Sequence, residues 1–169
     1  IQVLMWFANH VSCQPALEQL DQVRTELQQE KRLQFRAVCT EPEAVSNVQV
    51  KQLLSQWQIG LPVVRDFGAA GRDVFKINEV PTLVVLDAAG KVQIFDERHN
   101  PELIHQLPLI LQRLLKGEDL VKDVVAQAAA EQKKYEQLVA AGGPEPAKVI
   151  ELPQTVIAAA SQPQQLNLT

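Results

Sequence analysis

The sequence predicts an α/β domain in which a mixed β-sheet is covered by helices on both faces. Three observations carry that expectation. Short continuous apolar runs, such as Val3-Leu4-Met5-Trp6-Phe7-Ala8, suit strands buried on both sides of a sheet. They alternate with stretches whose apolar residues recur every three or four positions, the spacing of a helix face. The last two strand-like runs are joined by the tight turn Asp87-Ala88-Ala89-Gly90, so helix-linked strands come first and a hairpin comes last.

Taken in order, Val3 to Ala8 is the first strand. Ser12 is a candidate N-cap for the helix that follows, Pro15 is tolerated in its first turn, and Leu17, Leu20, Val23 and Leu27 form its apolar face. Leu33 to Val38 reads as a second strand. Val45 to Trp57 predicts a second helix, with Leu53, Leu54 and Trp57 apolar, Ser46 or Asn47 as caps and Gly60 as its stop. Leu61 to Val64 predicts a short third strand. Asp73 to Asn78 suggests a helical turn, Pro81 to Leu86 a strand, and Lys91 to Phe95 its hairpin partner, with Gly90 at a positive φ. Pro101 to Leu115 is a closing amphipathic helix. The order is β-α-β-α-β-(α)-β-β-α.

A further amphipathic helix is expected from about Glu118 to Ala141, with Val121, Val124, Val125, Ala128, Tyr135, Leu138 and Val139 on one side and Gly142-Gly143 as its cap. After Pro144 only Val149-Ile150 and Thr155-Val156-Ile157 have strand character. The predicted divisions are a domain over 1–117, a helix over 118–143 and a Pro/Gln/Ala-rich linker or tail over 144–169.

Bulk properties narrow the function classes. The 169 residues are 46% hydrophobic and 21% charged, a globular composition that excludes disorder throughout. A net charge of -4 supplies no basic footprint, so no nucleic-acid partner is expected. No apolar run approaches the ~18 residues of a membrane span. Two cysteines are too few for a disulfide-stapled mini-protein or a cysteine-built zinc site. The chain opens at Ile1 rather than Met and closes on a linker-like composition, so it is expected to be a piece of a longer protein, with any signal peptide or membrane anchor upstream.

The element order and two local motifs resemble the thioredoxin fold. The first motif is the strand-to-helix junction Trp6-Phe7-Ala8-Asn9-His10-Val11-Ser12-Cys13. The second is Val80-Pro81-Thr82 before a strand, followed by Leu86-Asp87-Ala88-Ala89-Gly90-Lys91-Val92. Together with the extra helix and strand over Val45 to Val64, they look like the TlpA/ResA family of extracytoplasmic thiol–disulfide oxidoreductases, over roughly Ile1 to Leu115. The resemblance implies a three-layer α/β/α sandwich with a mixed central sheet, here extended by the C-terminal helix and tail. It also implies a location outside the cytoplasm, periplasmic or membrane-tethered.

This sequence departs from that family where the chemistry belongs. Aligning Cys13 with the family's second active-site cysteine puts His10 where the first stands, giving His-x-x-Cys. Glu18 stands where the family's helix proline usually falls. Dithiol exchange needs an attacking thiolate and a resolving thiol, and an imidazole can be neither. The chain therefore resembles an enzyme family while lacking its nucleophile.

The remaining site residues admit alternatives. Cys13, in the first helical turn and three residues from His10, is either a single reactive thiol or a small buried hydrophobe. Cys39 ends the second strand and is either a buried thiol or, if its Cα comes within ~7 Å, a disulfide partner for Cys13. Pro81 resembles the family's cis-proline, and the resemblance implies that Val80, Pro81 and Trp6 contact an extended substrate. His10, Cys13 and Cys39 are chemically suited to copper, but the close cysteine pair of copper-binding relatives is missing, and His99 and His105 fall in a later loop and helix. No metal and no cofactor is expected. A peroxiredoxin reading requires Pro and Thr where Trp6 and His10 stand. Two readings follow. One is a polypeptide-binding or structural module whose partner is a polypeptide or a neighbouring domain of the same protein. The other is a thiol-dependent redox enzyme using Cys13 alone or a Cys13/Cys39 pair.

Overall fold

The computed structural model describes residues 1–140. The expected Gly142-Gly143 cap, the strand-like segments after Pro144 and the 144–169 tail lie outside the described residues. The elements are β1 (Gln2–Phe7), α1 (Cys13–Glu26), β2 (Gln34–Cys39), α2 (Asn47–Gln56), β3 (Val63–Arg65), α3 (Ala70–Asp73), β4 (Thr82–Leu86), β5 (Val92–Glu97), α4 (Leu103–Leu115) and α5 (Lys122–Ala140). Residues 1–126 form one compact unit, and the chain from Gln127 onward is assigned to a second.

The first unit is built on one five-stranded sheet in the order β3-β2-β1-β4-β5. β2 runs parallel to β1 and to β3, whereas β4 runs antiparallel to β1 and β5. Strand alternation sorts side chains between the two faces. Val3, Met5 and Phe7 of β1 pack with Leu17, Leu20 and Val23 of α1, Val50 and Leu54 of α2, and Leu107 and Leu111 of α4. Trp6, with Val38 and Val84 on the neighbouring strands, faces the other way and packs with Ile77 and the half-buried Phe75. Helices lie on both faces as expected, but unequally. α1, α2 and α4 cover one face, and α3 with the segment after it covers part of the other.

Local chemistry explains the elements and the departures from expectation. The Ser46 hydroxyl accepts from the Gln49 N–H while the Gln49 side chain accepts from the Ser46 N–H, a reciprocal cap that starts α2. Asp87 Oδ1 accepts from the Ala89 and Lys91 N–H groups, and Gly90 takes φ 78°, so the hairpin turn forms as read. Ser12 stands at the start of α1, yet its hydroxyl makes no cap bond, because it is engaged by His10. Gly60 does not end α2. The helix stops at Gln56, and Gln58, at φ 56°, turns the chain. Gly60 instead donates its N–H to Asp21 Oδ2 at 2.6 Å. The helical turn expected at Asp73 to Asn78 sits earlier, at Ala70–Asp73, because the Asp66 carboxylate accepts the N–H groups of Ala70 and Gly71. The third strand starts at Val63 rather than Leu61: the Pro62 carbonyl accepts Ala37 N–H as the first bond of the pairing with β2, and Pro62 has no N–H with which to extend it.

α5 is the long helix expected near the C-terminus. Val125, Tyr135 and Leu138 of its apolar stripe are exposed. Among the described residues no helix is long and apolar enough to cross a membrane.

Candidate functional site

Parallel pairing of β1 and β2 sets Phe7 opposite Cys39, and antiparallel pairing sets Trp6 opposite Thr82. The junction before α1, the end of β2 and the loop that leads into β4 therefore share one end of the sheet.

The junction is a tight turn. His10 N–H donates to Ala8 O at 2.8 Å and Cys13 N–H donates to His10 O at 2.9 Å. This lifts Val11 into solvent, 83% exposed, and leaves the His10 imidazole exposed beside it. Nδ1 of His10 lies 2.7 Å from Ser12 Oγ and accepts the Ser12 backbone N–H at 3.3 Å. A backbone N–H can only donate, so this contact fits the imidazole tautomer that carries its proton on Nε2.

Cys13 turns inward. It is wholly buried, in the cluster with Phe7 and Leu17. Burial pushes its thiol pKa up, against the opposing pull of the Ala8 backbone and the Ser12 hydroxyl. Cys39 is equally buried and its pKa is also raised by burial, offset in part by the Glu41 backbone and the Arg65 charge. Both are free thiols. The imidazole is exposed here, and both sulfurs are buried.

The resemblance implies a substrate contact for Trp6, and in the structure its indole is held by protein partners at the margin of a cleft. Trp6 is 3% exposed, its ring lies 5.1 Å from that of Phe75, and its indole N–H donates to Asp66 Oδ2 at 3.0 Å. Asp66 was not legible as a site residue. Its own N–H is bound by Cys39 O at 2.9 Å, which holds it at the end of β3. Its carboxylate gathers the indole and the N–H groups of Ala70 and Gly71, at 2.7 and 2.9 Å. Arg65 was also missed. Its guanidinium donates to the carbonyls of Glu41, Pro42 and Val45 and to Asn47 Oδ1, and lies 4.5 Å over the Phe67 ring. Glu41 Oε1 accepts the Asn9 N–H at 2.6 Å, so the loop after β2 is tied both to β3 and to the junction. The signal that could have found these residues is the acidic and basic pair Arg65-Asp66 closing an otherwise apolar strand.

The Val80–Pro81 bond is cis. Pro81 is buried and its carbonyl accepts the Arg98 N–H at 2.8 Å, while Thr82 Oγ1 donates to Glu79 O at 2.6 Å. Val80 is half-buried between these two fastenings. Among the described residues its backbone N–H and C=O have no hydrogen-bond partner. Beside it opens a cleft of about 370 Å³ lined by Trp6, Thr40, Asp66, Gly71, Ile77 and Val80. Among the described residues no three His, Cys, Asp or Glu side chains converge as metal ligands.

Comparison with solved structures identifies the fold. The chain is similar to StoA from Bacillus subtilis, at 17% identity and a TM-score of 0.53 over 63% of this chain and 78% of that one. It is similar to a thioredoxin-like protein from Porphyromonas gingivalis, at 19% identity and a TM-score of 0.56 over 68% and 75%. It is also similar to the thioredoxin domain of a thiol-disulfide oxidoreductase from Bacteroides vulgatus, at 12% identity and a TM-score of 0.55 over 64% and 77%. No family model and no curated protein matches the sequence. The fold is thioredoxin-like.

Proposed function

We propose that this chain is a TlpA/ResA-type thioredoxin-like domain that binds extended polypeptide and does not carry out dithiol exchange. The observation that carries the reading is the open backbone of Val80. An unpaired N–H and C=O, held between the fastened Glu79 and Pro81, is a one-residue strand edge to which an extended chain can add.

The chemistry around it favours holding over exchange. Exchange starts with an accessible thiolate. At this edge the accessible group is the His10 imidazole, while Cys13 and Cys39 are buried and their thiols are driven toward the protonated form. The thiol-dependent alternative, through Cys13 alone or with Cys39, needs one of these sulfurs to reach solvent. The partner in this reading is a polypeptide or a neighbouring domain of the same protein. The resemblance to extracytoplasmic relatives supports a position outside the cytoplasm.

The test is a titration of the ¹⁵N-labelled protein with a blocked, strand-prone pentapeptide, followed by amide shifts. The Val80 amide is expected to move, and N-methylation of the paired peptide residue is expected to abolish the movement. A disulfide-reduction assay on the same protein is expected to show no turnover. Turnover that disappears in Cys13→Ala overturns the reading in favour of a thiol enzyme.

A further inference from the structure

The cleft beside Val80 has a composition that selects among polypeptides. Resting on the docking reading above, we infer that it is a side-chain pocket, and that a segment held at Val80 places one bulky, uncharged apolar side chain in it. Its volume of about 370 Å³ falls in the lower part of the range of ligand pockets, about 300–1,000 Å³. Trp6, Ile77 and Val80 supply apolar lining, and the open backbone of Val80 at its margin would anchor the main chain from which that side chain projects.

The charges around the cleft are already committed. Asp66 accepts three N–H groups, from Trp6, Ala70 and Gly71. Glu79 is paired with Arg98 at 3.0 Å and Arg72 with Asp73 at 2.9 Å. The Thr40 hydroxyl donates to Phe7 O and the Asn78 amide to Lys76 O. A charged side chain entering the cleft would lose water and meet no unpaired opposite charge, which is costly. A small side chain would leave the apolar lining wet. A Phe-sized group meets both conditions.

Trp6 lets the pocket report on itself. The chain has two tryptophans, and Trp57→Phe leaves Trp6 as the only indole. We would titrate this variant with blocked pentapeptides Thr-Thr-X-Thr-Thr, with X as Phe, Ala or Glu, reading Trp6 emission and the Val80 amide shift together. The Phe peptide is expected to bind at least ~10-fold more tightly than the Ala and Glu peptides and to change Trp6 emission. Asn78→Tyr, which adds bulk at an exposed lining position, is expected to reduce the preference for Phe below about 3-fold. Phe and Ala peptides that bind alike while both move the Val80 amide overturn the pocket and leave the docking edge standing. Preference for the Glu peptide, or tight Phe binding that leaves Trp6 unchanged, also overturns the pocket. Failure of all three to move Val80 overturns both.

Discussion

The indole of Trp6 occupies the space that a side chain on residue 71 would need. A Cβ placed on Gly71 would stand 2.5 Å from Trp6 Nε1 and 2.8 Å from Asp66 Oδ2. Glycine here lets the backbone of α3 close on the β1 tryptophan, with the Asp66 carboxylate binding both. Gly71→Ala is expected to cost about 1–3 kcal/mol, measured by urea unfolding, because neither neighbour can move without breaking that arrangement. Gly68→Ala is the control. Nothing lies within 4 Å of the position its Cβ would take, so its stability is expected to stay within about 1 kcal/mol of the parent.

Arg65 holds the loop after β2 by bonding three carbonyls and one side-chain amide from a single guanidinium. A lysine ammonium cannot span that set from one point. Arg65→Lys is expected to lose about 1–3 kcal/mol and to speed amide hydrogen exchange across residues 41–47, read by mass spectrometry. Exchange that quickens uniformly over the whole domain would instead mean that Arg65 supports the core and not this loop.

The two buried thiols make stability pH-dependent with a definite sign. Burial raises the folded-state pKa of both Cys13 and Cys39. The stabilising contribution is complete below the ordinary thiol pKa of about 8.5 and is lost as pH climbs from there through the raised folded values, because the unfolded chain releases its protons first. Unfolding free energy is expected to fall above that point. The double variant Cys13→Ala/Cys39→Ala is expected to be less stable at neutral pH, from the cavities left, and to show a shallower decline at alkaline pH.

His10→Cys asks whether the missing nucleophile is what silences the junction. The 2.9 Å bond from Cys13 N–H to His10 O closes a turn that brings the two Cα atoms within about 7 Å, inside the reach of a disulfide. Mild oxidation is expected to form an intramolecular bridge between the introduced thiol and Cys13, seen as a loss of two hydrogens by intact mass. It is also expected to confer disulfide-reducing activity absent from the parent. A variant that folds but forms only intermolecular disulfides would contradict this view of the junction.

Much of the fold was legible because its determinants are local. The apolar run of β1, the reciprocal Ser46–Gln49 cap and the Asp87 turn with Gly90 each depend on residues a few positions apart. What the sequence did not disclose depends on distant partners. Gly60 is tied to Asp21 on α1, 39 positions away, instead of serving as a helix stop. At the site, the Val80–Pro81 motif and the His-x-x-Cys junction were readable as patterns. The bond from the Trp6 indole to Asp66 was not, because it spans 60 positions, and neither was the cleft beside it.

The central claim, that this edge binds without thiol chemistry, is tested most directly by alkylating the native protein across a pH series and reading intact and peptide masses. The structure predicts that neither Cys13 nor Cys39 labels near neutral pH until the protein is denatured, and that both then label without prior reduction. Rapid labelling of Cys13 in the native state near or below neutral pH would contradict the account and make the single-thiol enzyme the leading reading.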